Sequence, residues 1–443
     1  MRRRVAVTGV GVVCPLGNDT RTFWEGLLAG RSGVSMISDF PTEKLRSNIA
    51  ASVKDFDAVR YLSPKEVDIY GRVTHFSVGA AAEAIERAGL SHMRRESAAL
   101  SDDEDEGDES GGRGEAGGAE VAGSIDRARA GCLISTGMGS VDIFEQQIAK
   151  SAARGPRAVS PYFVPGVMPN RAAALIAMRY GLMGPSYSLA SACATGTHSI
   201  ATSALMIEAG DADLMIAGGA EAATRLNTVA GFGNARALAR AFEGDPTRSS
   251  RPFDKKRQGF VMGEGAGALV LEDEEHARRR GVKPLAYVAG FGMTTDAAHL
   301  TRPHPEGLGL ALAVERAIAR AGIKPEDIGY INPHATSTPQ GDIAEYAALA
   351  RVFGEGLSKI PISATKSMIG HLLGGAGAVE SIAVVCSLVD QEIHPSINVD
   401  DLDPAFALDV VRERRRADVR YALKCSAGFG GHNCALVLER AEA

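Results

Sequence analysis

Ser191-Ala-Cys193-Ala-Thr-Gly-Thr-His198 and, far downstream, Ile369-Gly-His371-Leu-Leu-Gly-Gly-Ala376 read as one piece of structure used twice. In each, a reactive side chain stands where a helix rich in small residues begins. A second pair has the same relation. Gly263-Glu-Gly-Ala-Gly-Ala-Leu-Val-Leu271 and Gly428-Phe-Gly-Gly-His-Asn-Cys-Ala-Leu-Val-Leu438 are both glycine turns leading into apolar strands. The repetition predicts a duplicated α/β unit whose two halves pack face to face.

The rest of the chain fits that grammar. At 443 residues it is long for one core, and it divides into halves at 1–280 and 281–443. Arg4–Gly11 reads as a strand, Thr20–Leu28 as a helix and Val73–Ala88 as an alanine-rich helix capped by Gly89. In the second half, strands over Pro284–Gly292 and Ile328–Pro333 alternate with helices over Leu308–Ala321 and Ile343–Val352. Residues 94–128 break the pattern. This acidic, glycine-rich stretch holds too little apolar surface to fold and reads as a disordered surface insertion before the strand Ala130–Ser135.

Charge and composition narrow the function classes. The formal charge is −6, but residues 101–120 hold nine acids against Arg113 alone, a net of −8 that leaves the remainder at +2. A nearly neutral body offers no general attraction for nucleic acid. No apolar run approaches the roughly 18 to 20 residues of a membrane-spanning helix. The arginines at the start run straight into Val5-Ala-Val-Thr8, which leaves no room for a signal peptide. The expectation is a soluble intracellular protein, in a bacterial cytoplasm or a mitochondrial or plastid matrix. The six cysteines show no C-x-x-C pair, so neither disulfides nor a zinc site is expected.

Cys193 is the exception among those thiols. Its context reads as a short strand, a tight turn and a helix through Ala209. A thiol there faces unpaired N–H groups and the positive end of the helix dipole, which predicts a lowered pKa. The same amides can hold an oxyanion on an attacked thioester. His334, in Asn332-Pro-His-Ala-Thr-Ser-Thr-Pro-Gln-Gly-Asp342, projects from a strand end. His371 follows Lys366-Ser-Met-Ile-Gly and lies against glycines that allow close approach. Two such histidines and a cysteine at matching turns form a candidate catalytic constellation.

These three segments resemble the Cys-His-His signature of the β-ketoacyl-acyl-carrier-protein synthases, most closely the type II elongating synthases of fatty acid synthesis. Asp211–Glu221, Ser250-Arg-Pro-Phe-Asp254 and Gly259-Phe-Val-Met-Gly-Glu-Gly-Ala-Gly267 are similar to further family blocks. The resemblance implies a thiolase-like fold, two βαβαβ-type halves in a five-layer α-β-α-β-α sandwich, usually as a homodimer. It implies a decarboxylative Claisen condensation: Cys193 takes an acyl chain from acyl carrier protein, and malonyl carrier protein then loses carbon dioxide and attacks the acyl-cysteine. His334 and His371 would hydrogen-bond the enolate oxygen, Lys366 would orient the site, and Glu345 would be its partner in a polar network. Phe429 and Phe232 would border a gate, and the Phe429 amide would complete an oxyanion hole with that of Cys193. Thr336 and Thr338 would bind the pantetheine arm, and Met138 would set acyl-pocket depth. Arg236, Arg157 and Lys65 would dock the acidic carrier protein. No metal or redox cofactor is implied, since the phosphopantetheine arm arrives with the substrate.

The chain departs from the family pattern in two places. Cys425-Ser-Ala427-Gly-Phe429 replaces one of two phenylalanines by Ala427, and Asp68 and Ile69 stand where relatives carry positive charge. Other readings fit less well. Val7-Thr-Gly9-Val-Gly11 lacks the third glycine and the acidic residue of a dinucleotide site. A thiolase would use a second cysteine in place of the His334 motif, and a modular polyketide synthase would need companion modules. A non-catalytic or specialised ketosynthase partner, as in polyketide chain-length factors, is the alternative. Such partners lose the cysteine that this chain keeps.

Overall fold

The computed structural model describes residues 2–95 and 125–442. In chain order the main strands are β1 (Val5–Val13), β2 (Ala130–Thr136), β3 (Leu214–Glu221), β4 (Gly265–Asp273) and β5 (Ala286–Thr295). They continue as β6 (Ile328–Asn332), β7 (Pro361–Ile362), β8 (Asp409–Val410), β9 (Tyr421–Gly428) and β10 (His432–Arg440). Among the described residues these ten form one sheet in the order β8-β7-β6-β9-β10-β5-β1-β4-β3-β2.

The duplication is written into that order. Ser186 makes a parallel bridge to Cys132 on the outer side of β2. Counting this bridge as a third strand, the first half runs third, second, fourth, fifth, first. The second half, β7-β6-β9-β10-β5, runs the same way. The two first strands meet antiparallel, Val5 opposite Val288 and Val7 opposite Ala286. Both glycine-led runs paired in the sequence are fifth strands, β4 and β10.

The helices complete five layers. They are α1 (Arg72–Arg87), α2 (Arg171–Tyr180), α3 (Thr195–Ala209), α4 (Leu308–Ala321), α5 (Pro339–Phe353) and α6 (Ala376–Asp390). Helices α1 and α2 cover the outer face of the first half, and α4, with α5 packed on it, covers that of the second. Helices α3 and α6 lie between the halves and touch strands of both. Small residues make this sandwich possible. A methyl on Gly267 would stand 2.7 Å from the Val379 nitrogen, and one on Gly196 would stand 2.8 Å from the Ala378 nitrogen. These contacts set how closely α6 approaches its neighbours.

Several expectations need correction at this level. Helix α5 starts at Pro339, earlier than Ile343, because the Thr338 side chain caps it and proline suits its first position. Strand β5 spans Ala286–Thr295, running past Gly292 because it pairs with β10 to Thr295. Most of the acidic 94–128 stretch lies outside the described residues. Its described ends are held in place: the Arg95 N–H donates to Arg179 O at 2.8 Å, and the Arg127 guanidinium to Tyr180 O at 3.0 Å. One helical run of 18 residues, Leu373–Asp390, is by length and mean hydropathy long and apolar enough to cross a membrane, which the sequence reading did not expect, but 83% of it is buried inside the protein. All six cysteines are free thiols.

Candidate active site

Both paired turns deliver their reactive side chains to one place. Cys193 occupies a single 3₁₀ turn, Ala192–Ala194, that opens into α3. Ala192 sits at φ 50°, and the Ser191 N–H donates to Thr195 Oγ1 at 2.9 Å, which locks the reversal. A methyl on Gly428 would fall 2.6 Å from Ser191 O and 3.1 Å from the Cys193 nitrogen, so the β9 end can meet this turn only as glycine. His371 lies at the matching entry to α6. Its N–H donates to Val261 O at 2.8 Å, and its carbonyl accepts from the Gly263 N–H at 2.9 Å. His334 follows β6. Its ring meets that of His371 edge to face, with centroids 5.2 Å apart.

Cys193, His334 and His371 line one cavity of about 580 Å³. Phe429, Phe232, Thr336, Thr338 and Glu345 line it too, and Arg236 stands at its edge. The Phe232 and Phe429 rings are 6.2 Å apart, and Thr336 and Thr338 share a hydroxyl hydrogen bond of 2.9 Å. Ala427 is part of the same wall. Met138 is not brought to the cavity; its side chain is 42% exposed. Arg157 and Lys65 are not among its lining residues; they lie in the 3₁₀ turn Pro156–Ala158 and the short helix Pro64–Ile69.

The Cys193 thiol behaves contrary to the sequence expectation. Although the residue keeps some exposure, its sulfur is enclosed, and burial pushes the thiol up to about 12. Lys366 and the N–H groups of Phe429 and Cys193 pull the other way, while Glu221 adds to the rise. Dehydration of a thiolate outweighs two amides and a lysine. The N–H groups of Phe429 and Cys193 both act on the sulfur.

The histidines are held neutral. Burial, then the positive charge of Lys366, drives both well below their ordinary value, and Lys424 adds to the effect. The Lys366 ammonium lies 3.5 Å from His334 Nδ1, which favours the tautomer with the proton on Nε2. Neither ring nitrogen of His371 has a partner among the described residues. Both imidazoles can therefore offer an N–H to a ligand without competition.

Glu345 acts on Lys366 through its charge, without a direct salt bridge. Its carboxylate accepts from the backbone N–H groups of His334 at 2.6 Å and Ala335 at 2.7 Å. It thus holds a turn in which Ala335 and Ser337 both have positive φ, 39° and 69°. The partner of Lys366 is Glu380 on α6, at 2.5 Å, and the other oxygen of Glu380 lies 2.8 Å from Lys424 Nζ. The sequence reading missed Glu380 and Lys424. A single acid inside the apolar run of α6 and a single lysine inside β9 were the available signal, because a buried charge must be paired.

Glu380→Ala would leave two lysines buried without their shared counter-ion. The expected cost is about 3–5 kcal/mol, read as a lowered denaturant midpoint with an unchanged slope. Glu380→Ala stability equal to native would mean that water already reaches the lysines.

The pattern described as Beta-ketoacyl synthase, N-terminal domain matches residues 2–101 and 116–277, and Beta-ketoacyl synthase, C-terminal domain matches 285–400. The chain belongs to the β-ketoacyl synthase family. It is 41% identical over 442 residues to 3-oxoacyl-[acyl-carrier-protein] synthase 2 of Vibrio cholerae, covering 99% of each chain. It is 39% identical over 433 residues to the chloroplastic 3-oxoacyl-[acyl-carrier-protein] synthase I of Arabidopsis thaliana, covering 98% of this chain and 85% of that one. Among solved structures, a β-ketoacyl synthase from Burkholderia phymatum superposes with a TM-score of 0.86 at 32% identity, over 99% of this chain and 100% of that one. A type II polyketide ketosynthase in complex with its acyl carrier protein, bound to the hexaketide, also reaches 0.86, at 29% identity over the full length of both.

Proposed function

We propose that this chain elongates fatty acids as a 3-oxoacyl-acyl-carrier-protein synthase, condensing malonyl carrier protein with an acyl chain held on Cys193. The observation that carries the reading is the convergence of Cys193, His334 and His371 on one cavity. The full-length likeness to 3-oxoacyl-[acyl-carrier-protein] synthase 2 supports it.

In the first half-reaction Cys193 gives up its proton and Sγ attacks the thioester carbonyl. The amides of Cys193 and Phe429 receive the oxyanion, and the carrier thiol leaves with a proton. In the second, the malonyl carboxylate departs as carbon dioxide and its electron pair becomes a thioester enolate. The N–H groups of His334 and His371 hold that enolate oxygen. The carbanion carbon attacks the acyl-cysteine carbonyl, Sγ leaves, and 3-oxoacyl carrier protein is released. Lys366 fixes the His334 tautomer, and Thr336 and Thr338 line the approach of the pantetheine arm. No metal or redox cofactor is needed for these steps.

The test is reconstitution. Acyl carrier protein and malonyl carrier protein are supplied together, and the carrier is weighed for an acyl group two carbons longer and bearing a 3-oxo group. Carrier that gains no carbons with any chain length would overturn the reading. A pH measurement probes the histidines. Their folded-state pKa values are lowered, so they take up protons only below the ordinary value of 6.5. Decarboxylation of malonyl carrier protein is therefore expected to stay level from pH 8 to 6.5. A decline centred near 6.5 would mean that the imidazoles titrate normally.

The carrier protein is the proposed partner, with Arg236 at the cavity edge and Arg157 and Lys65 farther out as docking cations. A homodimer is supported by exposed apolar side chains, among them Met138, Phe144, Ile148 and Val164. A soluble compartment in a bacterium or plastid is the proposed setting. A specialised polyketide-type ketosynthase is the second reading, favoured by Ala427 in the cavity wall and the likeness to a polyketide ketosynthase.

A further inference from the structure

The condensation steps make no use of the buried acid Glu221. Glu221 ends β3 and is fully buried. Its carboxylate accepts four hydrogen bonds from two separate turns. Thr136 Oγ1 donates at 2.8 Å, and the N–H groups of Gly137 and Met138 donate at 3.0 and 3.3 Å. The Gly374 N–H, three residues after His371, donates at 3.1 Å. The nucleophile turn closes over the same point. A methyl on Gly137 would meet Glu221 Oε2 at 2.8 Å and Ala192 O at 3.5 Å. A methyl on Gly196, in the first turn of the Cys193 helix, would meet Gly374 O at 3.0 Å. Gly374 thus gives its N–H to Glu221 and lays its carbonyl against the helix that carries the nucleophile.

We propose that Glu221 is a positioning residue that anchors the Cys193 turn, the His371 turn and the Thr136–Met138 loop to one another. The inference rests on the condensing reading for its role in turnover. A carboxylate suits the place because every group it meets is a donor; an amide would present its own N–H to one of them. Burial raises Glu221 to about 7, so the site carries a real cost for holding this acid. The charged groups acting on Cys193 are Lys366 and Glu221, the first favouring the thiolate and the second opposing it. The His334 and His371 rings share the cavity with Cys193 and are uncharged.

The test compares native protein, Glu221→Gln and Thr136→Val, reading Cys193 by intact mass after two reagents. Iodoacetamide reports the thiol alone, and acyl carrier protein reports productive geometry. Glu221→Gln is expected to move the pH profile of alkylation to lower pH, with about tenfold faster alkylation at a fixed pH below the midpoint if the shift is one unit. Acyl transfer in the same variant is expected to fall by about tenfold or more. Thr136→Val keeps the charge and loses one donor, so acyl transfer should fall while the alkylation midpoint stays. Unchanged alkylation and acyl transfer in Glu221→Gln would overturn the proposal. So would a loss of stability with both profiles native-like, which would make the residue merely structural. If Glu221→Gln does not fold, Thr136→Val decides: native acyl transfer there counts against the anchor. Absence of acyl transfer in the native protein would instead count against the condensing reading, and the alkylation profiles would still decide the effect of Glu221 on Cys193.

Discussion

Cys193→Ala is expected to abolish the acyl adduct and to lower condensation by about 10⁴-fold or more, because no other group in the cavity can form the thioester. The substitution removes one sulfur from a half-buried turn whose geometry rests on Ser191, Thr195 and Gly428, so the protein should fold normally. Intact mass after incubation with carrier proteins of graded acyl length is the measurement. Native protein should gain a single acyl mass, and the chain that loads fastest defines the acyl pocket. An adduct that persists in the variant would place the nucleophile elsewhere. Absence of any adduct in native protein would bring the non-catalytic or specialised partner forward. The high ligand-free thiol pKa sharpens the expectation. Cys193 should be sluggish toward small alkylating agents at neutral pH and fast only when a thioester occupies the oxyanion site.

The second large effect concerns His334 and His371. Each substitution to alanine is expected to lower decarboxylation and condensation by about 10²–10³-fold, the usual cost of losing one donor to a developing oxyanion. Acyl loading on Cys193 should persist in both, since the amides of Cys193 and Phe429, not the imidazoles, meet the first oxyanion. The double variant should lose less than the product of the single losses, because the two donors act on one oxygen. The separation of loading from decarboxylation is the informative result. Loss of loading in His371→Ala would assign that imidazole to the first step instead. His334→Ala carries an added effect: Lys366 would face an empty space, and some stability should go with it.

Much of this was legible in the chain. The turns around Cys193 and His371, and the paired glycine-led strands, announced a duplicated α/β unit. Both halves of the sheet then proved to have the same strand order. Glycine and small-residue spacing carry that information locally, because only glycine permits the backbone contacts that Gly428 makes with Ser191 and Cys193. The candidate constellation was also local in this sense, each member being marked by its own turn.

What the tertiary structure alone decided concerns charge. Glu345 was read as sharing a polar network with Lys366; it acts on Lys366 through its charge but hydrogen-bonds the His334 turn, while the direct partner of Lys366 is Glu380, shared with Lys424. A helix dipole was expected to lower the Cys193 thiol, yet burial raises it. Glu221 passed as part of a family block, although it links turns that lie far apart in the chain. Local sequence determines where a backbone turns and which face of an element is apolar, because those are short-range matters of sterics and periodicity. The partner of a buried charge, and whether that charge is dehydrated, depend on which distant segments the fold brings within a few ångströms, and only the packed structure supplies that.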